Sequence, residues 1–143
     1  MVDDDPKLCG LVQDYLEPLG YAVDAVHTGP EGVEAVKLGD YRAVILDVML
    51  PVMDGFEAAR EIKQRAGEDL VPVIFLTSLT ETDALVKCLE AGGDDFLTKP
   101  YNPVILQAKI RAFRRMREMH QTLQSQRDVI AGQHATLVRD QEL

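Results

Sequence analysis

VILDVMLPVMDGFEAAR, residues 44–60, holds the reading that decides the fold. Val44, Ile45 and Leu46 form an uninterrupted apolar run that stops at Asp47, the pattern of a strand buried on both faces, as in a parallel sheet. Pro51 and Asp54-Gly55 mark a loop, and Phe56 to Arg65 reads as a helix. A carboxylate therefore ends a core strand just before a loop that returns through a helix.

The same strand-loop-helix grammar extends in both directions. Downstream, Pro72 to Leu76 is a second apolar strand ending in Thr77, Thr82 opens a helix through Leu85, Val86 and Leu89 that Gly92-Gly93 closes, and Phe96 to Thr98 is a short strand before Lys99-Pro100. Upstream, Leu8, Leu11, Val12, Tyr15, Leu16 and Leu19 recur at helical spacing before Gly20. Tyr21 to Val26 alternates as a strand, and Val33, Val36 and Leu38 mark a helix stopping at Gly39. Alternating strands and helices predict a doubly wound α/β sheet, whose ligands bind beyond the carboxyl ends of the strands. Asp47, Thr77 and Lys99 all fall at that edge.

Length and composition fit one domain with length to spare. The 143 residues are 46% hydrophobic and 27% charged, with a net charge of -9, ordinary for a chain that folds and unsuited to a nucleic-acid footprint. The charge is uneven: residues 1–100 hold 8 basic against 20 acidic side chains, and residues 101–143 hold 7 against 4. Cys9 and Cys88 lack metal-ligand spacing and are expected as buried, reduced thiols. No apolar run approaches a membrane span and no signal peptide is present, so no membrane contact and a cytoplasmic location are expected.

Asp3-Asp4-Asp5 precedes the first helix. Carboxylates gathered with Asp47 at one sheet edge repel one another unless a divalent cation intervenes, and hard oxygen ligands suit Mg²⁺. A carboxylate nucleophile, a cation, a hydroxyl (Thr77) and an ammonium (Lys99) are the groups needed to accept a phosphoryl group and hold its oxygens.

Through VDDDP (2–6), VILDVMLPVMDGFEAAR (44–60), VPVIFLTSL (71–79) and AGGDDFLTKPYNP (91–103), the sequence resembles the CheY-like receiver domain of bacterial two-component response regulators over about residues 1–115. The resemblance implies a flavodoxin-like, five-stranded parallel sheet in the order 2-1-3-4-5. It implies Asp47 as phosphoacceptor, Asp3 and Asp4 as the acidic pair around Mg²⁺, and Met49 as a backbone-carbonyl ligand. It further implies Thr77 as the switch hydroxyl, Lys99 as the phosphate-contacting lysine, Phe96 as the aromatic that turns inward on activation, and a cis Lys99-Pro100 bond. The implied donor is a histidine kinase or phosphotransfer protein. The signal is expected to leave through the surface of helix 4, strand 5 and helix 5. Met49 and Ser78 border the path of attacking water and are expected to tune the acyl-phosphate lifetime.

Family members carry several apolar residues before the acidic pair, whereas only Met1 and Val2 stand here. A truncated first strand is expected, as though the numbering began late. Two rival readings remain: an aspartyl-phosphate phosphohydrolase, and a receiver-like binding module that is not phosphorylated. The hydrolase needs a proton-transferring residue two positions after the nucleophile, where this chain has Met49. A switch that phosphorylates and dephosphorylates itself is expected rather than a turnover enzyme.

From Pro103 onward an uninterrupted helix is predicted, with Met116, Leu123, Ile130 and Leu137 every seven residues. That spacing suggests a coiled coil, although the second row, Phe113, His120, Arg127 and His134, is mostly polar. The expected organisation is a receiver over residues 1–117 and a stalk over 118–143. The stalk would support a homodimer and lead to an absent output domain, expected to be an effector enzyme rather than a DNA-binding domain. His120 and His134 are expected as stalk surface, not metal ligands.

Overall fold

The computed structural model describes residues 1–67, 71–78 and 82–142, with the side chains of the last helix described as far as residue 131. Leu137 and His134 therefore lie outside the described side chains. Three parallel strands, β1 (Val44–Asp47), β2 (Val73–Thr77) and β3 (Asp95–Thr98), lie in the order β1-β2-β3. They alternate with helices α1 (Pro6–Leu16), α2 (Gly29–Leu38), α3 (Gly55–Ala66), α4 (Thr82–Glu90) and α5 (Pro103–Glu142), and a short 3₁₀ turn (Glu17–Leu19) follows α1. The α/β class with a parallel sheet is as expected.

β1 and β2 are buried throughout, β3 only at Leu97, and successive side chains point to opposite faces of the sheet. Val44 and Leu46 join Val73, Phe75, Ala58, Ile62 and Val33 in one core layer. Ile45, Ile74, Leu76 and Leu97 join Val12, Leu16, Leu106, Ile110 and Phe113 in the other. Helices α2 and α3 thus cover one face, and α1 and α5 the other.

The five-stranded sheet is not met among the described residues. In place of two further strands, Val2 makes isolated parallel bridges to Val26 on one side and Leu46 on the other. Val2 N donates to Ile45 O at 2.8 Å, Asp47 N donates to Val2 O at 2.9 Å, and Asp3 N donates to Val26 O at 3.1 Å. A ladder grows one pair per residue laid alongside. The segment 21–26 makes a single bridge, through Val26, and is not a strand.

Smaller differences concern which apolar residues face inward. In α1 the buried positions are Cys9, Val12 and Leu16, while Leu11 is 60% exposed, and Leu38 at the end of α2 is 78% exposed. Gly20 adopts φ 97° in the left-handed region and ends the 3₁₀ turn, a conformation glycine takes without a Cβ clash. Both cysteines are buried and free. Among the described residues no helix is long and apolar enough to cross a membrane.

Candidate functional site

The register of the sheet brings the functional side chains to one rim. Asp47 pairs with Leu76, so Thr77 ends β2 one residue beyond it, and Thr77 pairs with Thr98, so Lys99 follows directly on β3. Lys99 N donates to Thr77 O at 2.8 Å, and the Lys99-Pro100 bond is cis. Val2 carries Asp3 to the same edge through its bridges to Leu46 and Val26.

Asp3, Asp47 and Thr77 are almost fully buried, at 0%, 3% and 1% exposure. Lys99 Nζ lies 3.1 Å from Asp3 Oδ2 and 3.3 Å from Asp47 Oδ2, bridging the two carboxylates. Met49 N donates to Asp47 Oδ1 at 3.2 Å, and Asp5 N donates to Asp3 Oδ1 at 2.9 Å. Burial, followed by repulsion from Asp3, pushes the Asp47 carboxyl above its ordinary value, against the opposing pull of Lys99 and the Met49 N–H. Burial acts to lower the Lys99 ammonium, but hydrogen bonding and attraction to Asp3 and Asp47 outweigh it and hold Lys99 above its ordinary value. The pair is thus poised with a charged lysine against a carboxylate short of counter-charge.

The donor set suits a hard divalent cation. Asp3, exposed Asp4 and Asp47 each offer an oxygen, and these atoms all lie within 4.8 Å of one another. Asp3 Oδ2 is buried and, among the described residues, its neighbour is the Lys99 ammonium at 3.1 Å. Such an oxygen has lone pairs to offer a cation.

The loop from β1 to α3 frames the site. Gly55 is required by close approach: a Cβ there would collide with the Asp47 carbonyl oxygen and lie 2.7 Å from Val48 Cα. Asp54 caps α3, its carboxylate accepting from Glu57 N at 2.9 Å. Val52 sits at φ 69°, in the left-handed region a β-branched side chain disfavours, and is 93% exposed. Met49 is 63% exposed on the rim and Ser78 is exposed beside Thr77. Phe96 is half-buried against the core layer of α2 and α3, paired with Phe75 across the ladder.

Two contributions escaped the sequence reading. Asp5 belongs to α1 as its cap, accepting from Lys7 N at 3.0 Å and Leu8 N at 3.4 Å, and Asp5-Pro6 at a helix start is the signal for it. His27 Nδ1 lies 2.9 Å from Asp3 O and braces the backbone beside the acidic pair, with no motif to announce it.

The model of the response regulator receiver domain family matches residues 1–111. The transcriptional regulatory protein TcrA of Mycobacterium tuberculosis is 44% identical over 116 residues, covering 80% of this chain and 45% of that protein. The transcriptional regulatory protein SpaR of Bacillus subtilis is 39% identical over 134 residues, covering 92% of this chain and 57% of that protein. The chain thus spans about half the length of these curated relatives. Among solved structures, the receiver domain of the sensor histidine kinase PA1611 from Pseudomonas aeruginosa PAO1, with a magnesium ion coordinated in its active-site cleft, is 34% identical with a TM-score of 0.72. That match covers 78% of this chain and 92% of the other.

Proposed function

This chain belongs to the response regulator receiver domain family, and we propose that Asp47 is its phosphoacceptor, taking a phosphoryl group from a histidine kinase or phosphotransfer protein in a Mg²⁺-dependent reaction. The observation that carries this reading is Lys99 Nζ set 3.1 and 3.3 Å from the buried carboxylates of Asp3 and Asp47. A carboxylate nucleophile and a fixed cation meet at the strand edge where ligands of such sheets bind.

Asp3, Asp4, Asp47 and the Met49 carbonyl would hold the Mg²⁺, which supplies charge neutralisation for the incoming phosphoryl oxygens. An Asp47 carboxylate oxygen forms the new O–P bond as the N–P bond of a phosphohistidine breaks and the imidazole leaves. Lys99 then balances the added negative charge, and the Thr77 hydroxyl, at the end of β2, donates to a phosphoryl oxygen. Thr77 drawn to the phosphoryl group leaves space for the Phe96 ring, which alters the face of α4, β3 and α5. Met49 and Ser78 flank the route of hydrolytic water and set the lifetime of the acyl phosphate. Met49 has no proton to transfer, which argues against a phosphohydrolase.

The parallel bridges of Val2 to Val26 and to Leu46 support the order 2-1-3-4-5. Residues 1–117 form the receiver and 118–143 a stalk through which two copies pair and the signal reaches an output domain in the cytoplasm. The similarity to the transcriptional regulatory proteins TcrA and SpaR supports a transcriptional output over the effector enzyme expected from the stalk. Intact-mass measurement after incubation with Mg²⁺ and a small phosphodonor tests the reading: one phosphoryl group is gained by the natural chain and none by Asp47→Asn. A natural chain that gains none contradicts it.

A further inference from the structure

Helix α5 spends one face on the domain. Leu106, Ile110 and Phe113 are buried in the core layer shared with α1. One turn further, Arg117 Nη1 donates to Tyr41 O at 3.4 Å and Nη2 lies 3.6 Å from Asp40 Oδ1, with the side chain 14% exposed. At about 100° per residue these four share a single narrow arc. Phe113 therefore belongs to the core, so the row Phe113, His120, Arg127 expected beside the heptad positions is not free to form a seam.

A different row takes its place. Met116, Met119, Leu123 and Ile130 are 50%, 64%, 63% and 65% exposed, and together with Gln126 they alternate at three- and four-residue steps. Their arc is centred roughly 120° from the domain-facing arc. A second helix can thus lie along it without displacing the receiver. The repeat averages 3.5 residues per turn, which winds left-handed and matches only a helix of the same repeat. The stalk runs about 35–40 Å past Arg117. Four apolar side chains from each of two copies, at roughly 60–120 Å² each, bury roughly 500–1,000 Å², approaching the ~1,000 Å² of a specific interface.

Gln126 decides the arrangement. It lies between the apolar layers of Leu123 and Ile130, where its amide must find a partner once water is excluded. In a parallel, in-register pair it meets its own copy and the two amides bond to each other; in a shifted or antiparallel pair it faces an apolar layer. Resting on the proposal that the stalk pairs, we infer that α5 is a parallel, in-register coiled-coil seam for a second copy of this chain, running from Met116 through Ile130 with Gln126 as its register-setting layer.

Oxidative cross-linking of the 143-residue chain, with sedimentation to give its mass, tests this. Ile130→Cys is expected to cross-link with itself in most of the dimer, whereas Ser125→Cys, on the opposite side of the helix, and the natural chain are not. Leu123→Glu is expected to abolish the dimer while the circular dichroism melt of the receiver persists, and Gln126→Leu to tighten association tenfold or more. A dimer that cross-links only between Met116→Cys and Ile130→Cys copies is antiparallel and overturns the inference while leaving stalk pairing standing. A natural chain that stays monomeric at hundreds of micromolar overturns both.

Discussion

Lys99 Nζ lies 3.3 Å from Asp47 Oδ2, so the side chain that would balance a phosphoryl group on Asp47 is already paired with the unmodified carboxylate. The same ammonium holds Asp3 Oδ2 at 3.1 Å. One cation thus serves two buried anions, and the site is short of positive charge before any metal or phosphoryl group arrives.

Removing that cation leaves both carboxylates buried without a counter-charge. Lys99→Ala should cost about 1–3 kcal/mol in urea unfolding at pH 7, below the ~3–5 kcal/mol of fully buried pairs because Lys99 is a quarter exposed. Millimolar Mg²⁺ should recover part of the loss, and equal unfolding midpoints for the variant and the natural chain would count against the bridging role.

Asp47→Asn should raise stability. The folded value of Asp47 is raised, so its contribution is fully present below the ordinary carboxylate value near pH 4 and is lost as pH rises through the higher folded value. The gain from Asn should therefore be small at pH 4 and grow to a plateau above the folded value. Calorimetry on both chains across this range checks the sign, and a gain that shrinks with rising pH would contradict it.

Gly55→Ala should be costly because the added Cβ meets backbone, not a movable side chain. The expected loss is about 2–3 kcal/mol of stability, accompanied by slower phosphoryl uptake as Asp47 shifts. Chemical denaturation with the phosphodonor assay separates this from a variant that is merely less stable.

Val52→Asn should stabilise by about 1 kcal/mol, since Asn tolerates the left-handed backbone that Val52 occupies at φ 69°. The side chain is 93% exposed and no packing is lost. An unchanged urea midpoint would mean that the loop relaxes around valine at no cost.

Asp3→Asn should weaken Mg²⁺ binding at least tenfold, because it removes the charge of a buried cation ligand. Titration calorimetry on the unphosphorylated chain reads this directly, and the Asp4→Asn change, on the exposed side, should cost less.

The sequence made most of the rim legible, because three apolar runs end in Asp47, Thr77 and Thr98-Lys99 and parallel register aligns such ends. Asp3 was readable as acidic but not as buried; that follows from the two bridges of Val2, which depend on neighbours distant in sequence. The strand expected at residues 21–26 fails for the same reason, since a β pattern forms a strand only where a partner runs beside it. Asp5 reads with its acidic neighbours by charge, but its place before Pro6 marks a helix cap. On α5 the seven-residue apolar spacing is legible in the sequence, but the burial of Phe113 depends on which face of the helix the domain covers.

On the proposed mechanism, Asp47 carries the phosphoryl group. Treating the chain with Mg²⁺ and a small phosphodonor, reducing it with borohydride and mapping the product by peptide mass spectrometry tests this most directly, because an acyl phosphate is reduced where an ordinary carboxylate is not. Conversion of Asp47 to homoserine and of no other acidic residue is expected, with none in Asp47→Asn or without Mg²⁺. Full donor consumption with Asp47 unreduced, or reduction at another carboxylate in the natural chain, would contradict it.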